Sequence, residues 1–366
     1  MNAPLERPIR VLVVDDSRVQ REMLIQALSQ DRQLEVVGSA GSGVEAIAQF
    51  RRLNPDVVTM DLRMPHMDGL ETSAALLKLR AVPILMVTGS VSRFDQKLVS
   101  KALELGILAV THKPGSLEEF GALRQLVVGL SQVRLVRRTR ETRPEATLER
   151  PHFARALDVR RIEIVGLVAS TGGPQVLERI LRGLPAHFPL PILVVQHIAS
   201  GFAQSMVDWL GPLCRVPVRM AQRGHRLEAG VWFASESHLT VQGGSPQGTL
   251  GSLVGTMSTS LEMPVDGHRP SGTVLLRSLA REYGPRALGA VLTGMGEDGA
   301  SGLRELRSSG GLGVAQDPET ASIGSMPRAA IAGGVDAVLG PSELLALLER
   351  LDPGVPGPVP ESGKPL

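Results

Sequence analysis

A serine, a histidine and an aspartate each stand just past an apolar run in the second half of the chain. Ser170 follows Ile162–Val168, His197 follows Pro191–Gln196, and Asp298 follows Leu288–Thr293 through Gly294-Met-Gly-Glu297. A hydroxyl, an imidazole and a carboxylate brought together let the histidine deprotonate the serine while the carboxylate orients the ring. That is the logic of acyl transfer through a covalent serine intermediate. Ser170 opens the turn Ser-Thr-Gly-Gly-Pro174, which leads into the amphipathic stretch Gln175–Arg182, with Pro174 suited to the first helical turn. The backbone N–H groups of Thr171, Gly172 and Gly173, or of Met295, are candidate oxyanion donors. Taken singly, Ser170 reads more readily as a helix cap and His197 as a structural histidine. Gly172-Gly173 lacks the G-x-G-x-x-G spacing of a dinucleotide loop. Three strand ends carrying all three groups favour the chemical reading. The order Ser–His–Asp differs from that of α/β-hydrolases, so the chemistry would sit on a separate fold.

A second constellation lies in the first half. Asp15 and Asp16 follow Ile9–Val14, Asp61 follows Asp56–Met60, Thr88 ends Pro83–Thr88, and Lys113 comes just after Ile107–Thr111. Three converging carboxylates repel one another unless a divalent cation joins them, and an all-oxygen set suits Mg²⁺. With Asp15, Asp16 and Asp61 around a metal, one carboxylate can accept a phosphoryl group whose oxygens Thr88 and Lys113 bind. Asp15 or Asp16 as helix caps and Lys113 as a surface lysine would explain each residue alone, but not four strand ends together.

These placements require parallel sheets, because only then do the carboxyl ends of successive strands share an edge. Residues 9 to about 130 alternate five strands (Ile9–Val14, Leu34–Val37, Asp56–Met60, Pro83–Thr88 and Ile107–Thr111) with amphipathic helices, the pattern of a doubly wound α/β domain over 1–130. From 131 to 160 the pattern gives way to an arginine-rich polar linker. Its arginines lack interleaved aromatics, so no nucleic-acid partner is expected. Alternation resumes over 161–350 as a second doubly wound, mostly parallel α/β domain. Its strands are Ile162–Val168, Pro191–Gln196, Leu288–Thr293, Leu312–Ala315 and Ala337–Leu339, and Val231–Ala234, Leu239–Gln242 and Leu250–Gly255 read as a small antiparallel insertion. The Pro/Gly tail 351–366 is expected to be disordered.

The 366 residues suffice for two real cores, and the scarcity of aromatics (3%) makes those cores aliphatic. A net charge of +2 argues against a uniformly basic surface. A single cysteine, Cys214, excludes an intrachain disulfide framework and fits a reducing compartment. No apolar run approaches the ~20 residues of a membrane span, so membrane insertion is not expected and the cytoplasm is the expected location.

The first constellation resembles the receiver domain of bacterial response regulators, a flavodoxin-like fold. The resemblance implies that Asp61 is the phosphoacceptor, Asp15 and Asp16 are metal-site acids binding Mg²⁺, and Thr88 and Lys113 are the switch hydroxyl and lysine. Val110 stands where that family usually carries an aromatic. The second half, through Ala169-Ser-Thr-Gly-Gly173, Val195-Gln-His197, His268-Arg-Pro-Ser271, Leu292–Gly299 and Met326-Pro-Arg-Ala-Ala330, resembles the catalytic domain of the chemotaxis protein-glutamate methylesterases, the CheB family. It departs at Ala199, at Ser235-Glu-Ser-His238 and at Ile323-Gly-Ser325. The resemblance implies a phosphorylation-controlled serine hydrolase that demethylates glutamate γ-methyl esters on methyl-accepting chemotaxis receptors. It further implies deamidation of particular glutamines, a histidine kinase of the CheA type as phosphodonor, and no cofactor for the ester chemistry. A DNA-binding output domain is disfavoured by the strand-rich second half. A non-catalytic α/β binding module using Ser170 as a cap is the remaining alternative.

Overall fold

The computed structural model describes residues 7–89, 93–131, 133, 159, 161–243 and 255–351. Most of the arginine-rich segment, and the tail from 352 on, lie outside the described residues. In the first half, β1 (Ile9–Val14), β2 (Leu34–Ala40), β3 (Val57–Asp61), β4 (Ile84–Thr88) and β5 (Ala109–His112) form one sheet in the order β2-β1-β3-β4-β5, all pairs parallel. Helices α1 (Arg18–Leu28), α2 (Gly43–Leu53), α3 (Gly69–Leu79), α4 (Arg93–Glu104) and α5 (Leu117–Ser131) alternate with them. The central strands are buried along their whole length, which explains why they read as unbroken apolar runs rather than as alternation. Strand order reverses between β1 and β3, the place where a doubly wound sheet opens its ligand crevice.

In the second half, β6 (Ile164–Ala169), β7 (Pro191–Gln196), β8 (Val218–Met220), β9 (Gly230–Phe233), β12 (Ala287–Val291), β13 (Leu312–Gln316) and β14 (Ala337–Leu339) make a wholly parallel sheet. Its order is β14-β13-β12-β6-β7-β9-β8. Its helices are α6 (Gly173–Gly183), α7 (Ala203–Leu210), α8 (Gly272–Glu282), α9 (Ala300–Ser308), α10 (Ser325–Ala332) and α11 (Pro341–Glu349). The antiparallel insertion is the two-stranded pair of β10 (His238–Gln242) and β11 (Thr256–Ser260).

Two strand expectations are corrected. The run 231–234 does not belong to the insertion: β9 pairs in parallel with both β7 and β8 and is buried at all four positions, a strand of the main sheet. Residues 250–254 lie outside the described residues, and the strand opposite β10 begins at Thr256. No helix among the described residues is long and apolar enough to cross a membrane.

Candidate active site

Strands β12, β6 and β7 are neighbours, so the loops at their carboxyl ends open side by side. Backbone hydrogen bonds tie these loops together: Ser170 N–H donates to Thr293 O (3.0 Å) and His197 N–H to Ala169 O (2.9 Å). Helix α6 is capped by Gly172, in the left-handed region at φ 77°, with no side-chain cap. Ser170 is therefore not the helix cap. A Cβ at Gly172 would approach Ser322 to 2.5 Å, so glycine is needed there for space as well as for φ.

His197 Nε2 lies 2.8 Å from Asp298 Oδ2. A carboxylate can only accept, so Nε2 carries the proton and Nδ1 is the basic nitrogen. Nδ1 is buried and has no hydrogen-bond partner among the described residues, while Ser170 and His197 line the same cavity of about 370 Å³. The Asp298 carboxylate also accepts from Ser271 Oγ (2.8 Å) and from the backbone N–H groups of Gly272 (2.6 Å), Thr273 (2.9 Å) and Gly299 (2.9 Å). Burial alone would raise its pKa. The bond from His197 and the backbone donors outweigh burial and hold it well below the usual carboxylate range. Asp298 therefore stays an anion, able to stabilise an imidazolium on His197.

Two side chains outside the expected triad shape this centre. Gln196 Nε2 donates to both Ser170 O and His197 O, each at 2.8 Å, and clamps the two loops together. Gln196→Leu takes the side-chain donor from the partly buried His197 O and one of two donors from the buried Ser170 O, which keeps Gly173 N–H. Chemical denaturation should register a loss of about 1–3 kcal/mol, and no loss would remove the clamp assignment. The second side chain is His268, whose ring stacks on His197 with centroids 3.9 Å apart. Cys214 is no rival nucleophile, because burial pushes its thiol up to about 11.

Among the candidate oxyanion donors, Gly173 N–H is engaged with Ser170 O (2.8 Å) and Gly172 N–H points to Leu108 O (3.4 Å). Thr171 and Met295 N–H make no hydrogen bond among the described residues.

In the first half, one carboxylate oxygen from each of Asp15, Asp16 and Asp61 lies within 4.8 Å of the others. Asp15 and Asp61 are buried and Asp16 is exposed. Ser17, not Asp15 or Asp16, caps α1, and Asp15 Oδ1 accepts the Ser17 N–H at 2.9 Å. Lys113 Nζ bridges the buried pair, 2.8 Å from Asp15 Oδ2 and 2.7 Å from Asp61 Oδ2. Burial, with repulsion from Asp15, raises the Asp61 pKa despite the opposing pull of Lys113. The all-oxygen donor set, open on its Asp16 side, fits a hard divalent cation such as Mg²⁺. Thr88 is buried at the end of β4, next to β5 and Lys113.

The two halves meet over the cavity. Leu103, Leu108, Val110, Thr111 and Leu126 wall it opposite Ser170 and His197. Helix α6 reaches the same wall through Gln175 Nε2, which donates to Ile107 O at 3.1 Å. His112, one residue before Lys113, places Nε2 3.0 Å from Ser200 O and stacks on Phe202 at 5.4 Å. Ser100 Oγ donates to Ser205 O at 2.9 Å.

Residues 165–348 match the CheB methylesterase family and residues 11–123 the response regulator receiver domain. The chain is 43% identical over 353 residues to protein-glutamate methylesterase/protein-glutamine glutaminase 3 of Anaeromyxobacter dehalogenans, covering 94% of this chain and 98% of that protein. It is 41% identical over 329 residues to protein-glutamate methylesterase/protein-glutamine glutaminase 4 of Myxococcus xanthus, covering 87% and 90%. It is also similar, at 30% identity and a TM-score of 0.48, to the CheB methylesterase catalytic domain of Thermotoga maritima, over 52% of this chain and 99% of that one.

Proposed function

Because the chain belongs to the CheB methylesterase family, with a receiver domain ahead of the catalytic one, we propose that Ser170, His197 and Asp298 are the residues through which it acts. It is a protein-glutamate methylesterase and protein-glutamine glutaminase under receiver control. Its substrates are side-chain methyl esters and amides on methyl-accepting chemotaxis receptors. The observation that carries the assignment is the His197–Asp298 bond through Nε2, which leaves the buried Nδ1 as the basic nitrogen in the cavity that Ser170 also lines.

The reaction follows from that geometry. Ser170 Oγ attacks the γ-carbonyl carbon as His197 Nδ1 takes its proton, and Asp298 stabilises the imidazolium. The oxyanion meets the N–H groups of Thr171 and Met295, which among the described residues have no partner to give up first. Collapse expels methoxide, which takes the proton from His197 and leaves as methanol; an amide substrate releases ammonia. Water then attacks the glutamyl ester of Ser170 as His197 accepts its proton; collapse breaks the acyl–Oγ bond, His197 returns the proton to Ser170 Oγ, and the receptor carboxylate departs.

Asp61 is the proposed phosphoacceptor, with a histidine kinase of the CheA type as donor. Mg²⁺, when bound by Asp15, Asp16 and Asp61, would supply the positive charge that lets a phosphoryl group approach a carboxylate. Thr88 and Lys113 bind the phosphoryl oxygens. A phosphoryl group on Asp61 recruits Lys113 away from its present bridge, and His112 is the next residue on the chain. The contacts of His112 with Ser200 and Phe202 thus link the phosphorylation site to the loop that follows His197. In the covered state, receiver residues stand where a receptor side chain must enter.

Two measurements test this reading. The full chain incubated with a methylated receptor fragment should remove the methyl group, read by peptide mass, and a fluorophosphonate should label Ser170. Binding of the fragment without loss of the methyl would restore the non-catalytic module. In the unphosphorylated chain, His112→Ala deletes one interdomain hydrogen bond and one ring contact. Basal methanol release should rise about 3- to 10-fold, the effect of about 1 kcal/mol on an open–closed balance. An unchanged or lower basal rate would detach His112 from the closure.

A further inference from the structure

The general base has a neighbour that the triad does not account for. The rings of His197 and His268 are parallel within 6°, with centroids 3.9 Å apart. Both border the cavity that holds Ser170.

This contact is built by a segment with no slack. Val265 and His268 exchange both backbone hydrogen bonds, at 3.1 and 2.9 Å, across Asp266 and Gly267, whose φ values are 53° and 77°. Positive φ at both central residues is a type I′ turn, the form that Asp-Gly favours. Ser271, three residues beyond His268, caps α8 and donates its hydroxyl to Asp298 Oδ1 at 2.8 Å. One short segment thus ends on the ring of His197 on one side and on the carboxylate that orients it on the other. Fully buried His238 braces it: Nδ1 accepts Ser271 N–H at 3.2 Å, so Nε2 carries the proton donated to Met263 O at 3.1 Å. Arg269 donates to Leu261 O at 3.3 Å.

The single bond from Nε2 to Asp298 is a hinge. It fixes one nitrogen and leaves the ring free to pivot about the Nε2···Oδ2 line, which would shift Nδ1 within the cavity that Ser170 also lines. A flat group at stacking distance closes that freedom. We propose that His268 is a positioning residue for the methylesterase reaction, its ring face holding the His197 imidazole in the plane where Nδ1 meets Ser170. The proposal rests on the triad reading above.

Such a buttress has to be uncharged, since a cation there would repel the imidazolium that forms on His197. Burial, followed by repulsion from His197, pushes His268 down to about 4, against the weaker pull of Asp298 and Asp266. The ring is therefore neutral throughout the neutral pH range. Its folded pKa lies below the unfolded value of 6.5, so the unfolded chain binds the extra proton between the two. Stability from the neutral ring is complete above pH 6.5 and is lost as the pH falls towards 4.

The test compares His268→Ala and His268→Phe in the full chain, with kcat and KM for methanol release from a methylated receptor fragment. His268→Ala should lower kcat about 30- to 100-fold with KM within about 3-fold, the signature of lost alignment rather than lost binding. His268→Phe, flat and uncharged, should return kcat to within about 5-fold of the original. It should also flatten the fall in melting temperature between pH 6.5 and 4. The proposal is overturned if both variants match the original, if Phe is as impaired as Ala, or if Ala raises KM at constant kcat. Activity surviving Ser170→Ala would instead sink the triad reading, so the two failures are distinguishable.

Discussion

Ser170→Ala should lower methanol release by about 10⁴-fold or more, and His197→Ala should match it. The two act as one unit: without the hydroxyl the base has nothing to activate, and without Nδ1 the hydroxyl keeps its proton at neutral pH. Combining the two substitutions should therefore cost little more than either alone. Asp298→Asn should be milder. It removes the anion that stabilises the imidazolium but leaves Ser271 and the backbone donors around it. The readout is initial-rate methanol release by full chain matched for melting temperature. Near-full activity in Ser170→Ala would move the nucleophile elsewhere on the cavity wall.

Asp61→Asn should abolish phosphorylation altogether. A small phosphodonor with Mg²⁺ should add one hydroxylamine-labile phosphoryl group to the original chain and none to this variant, measured on the intact mass. An amide lacks the anionic oxygen that attacks phosphorus, and it weakens the bridge from Lys113, now 2.7 Å away. Phosphodonor should then leave the variant's methylesterase rate unchanged while raising that of the original. Persistent labelling would transfer the acceptor role to Asp15 or Asp16, the remaining acids of the cluster.

Much of this was legible because parallel sheets convert sequence position into spatial position. Asp15, Asp61, Ser170 and His197 each follow a short apolar run directly, and two-faced burial keeps such runs unbroken. Asp298 was found in the same way, although a longer loop separates it from β12. Partnerships without a local signature were hidden. Strand β9 is a short apolar run that the sequence alone assigns to no particular sheet, and only its pairing with β7 and β8 puts it in the main sheet. Strand β8 is a three-residue edge with no buried position, too short and polar to stand out. Gln196 stood in view beside His197, yet its bonds to two backbone carbonyls depend on where α6 begins. The same holds for His268, whose Asp-Gly turn is a local signal while its stacking partner comes from a distant strand end.

The shared wall of the cavity has a consequence for how this chain can be recombined. Val110 is buried in a core cluster that runs through both halves of the chain, and it lines the cavity that contains Ser170. His112 is the chain neighbour of Lys113, which pairs with Asp61, and itself contacts Ser200 O. Strand β5 therefore serves two masters, and a receiver grafted from another regulator would bring a β5 tuned to only one of them. A large aromatic at position 110 would intrude on the catalytic pocket, and a residue without a ring at 112 would lose its hold on Phe202. Such a chimera should still be phosphorylated, but the phosphoryl group would no longer set the esterase rate.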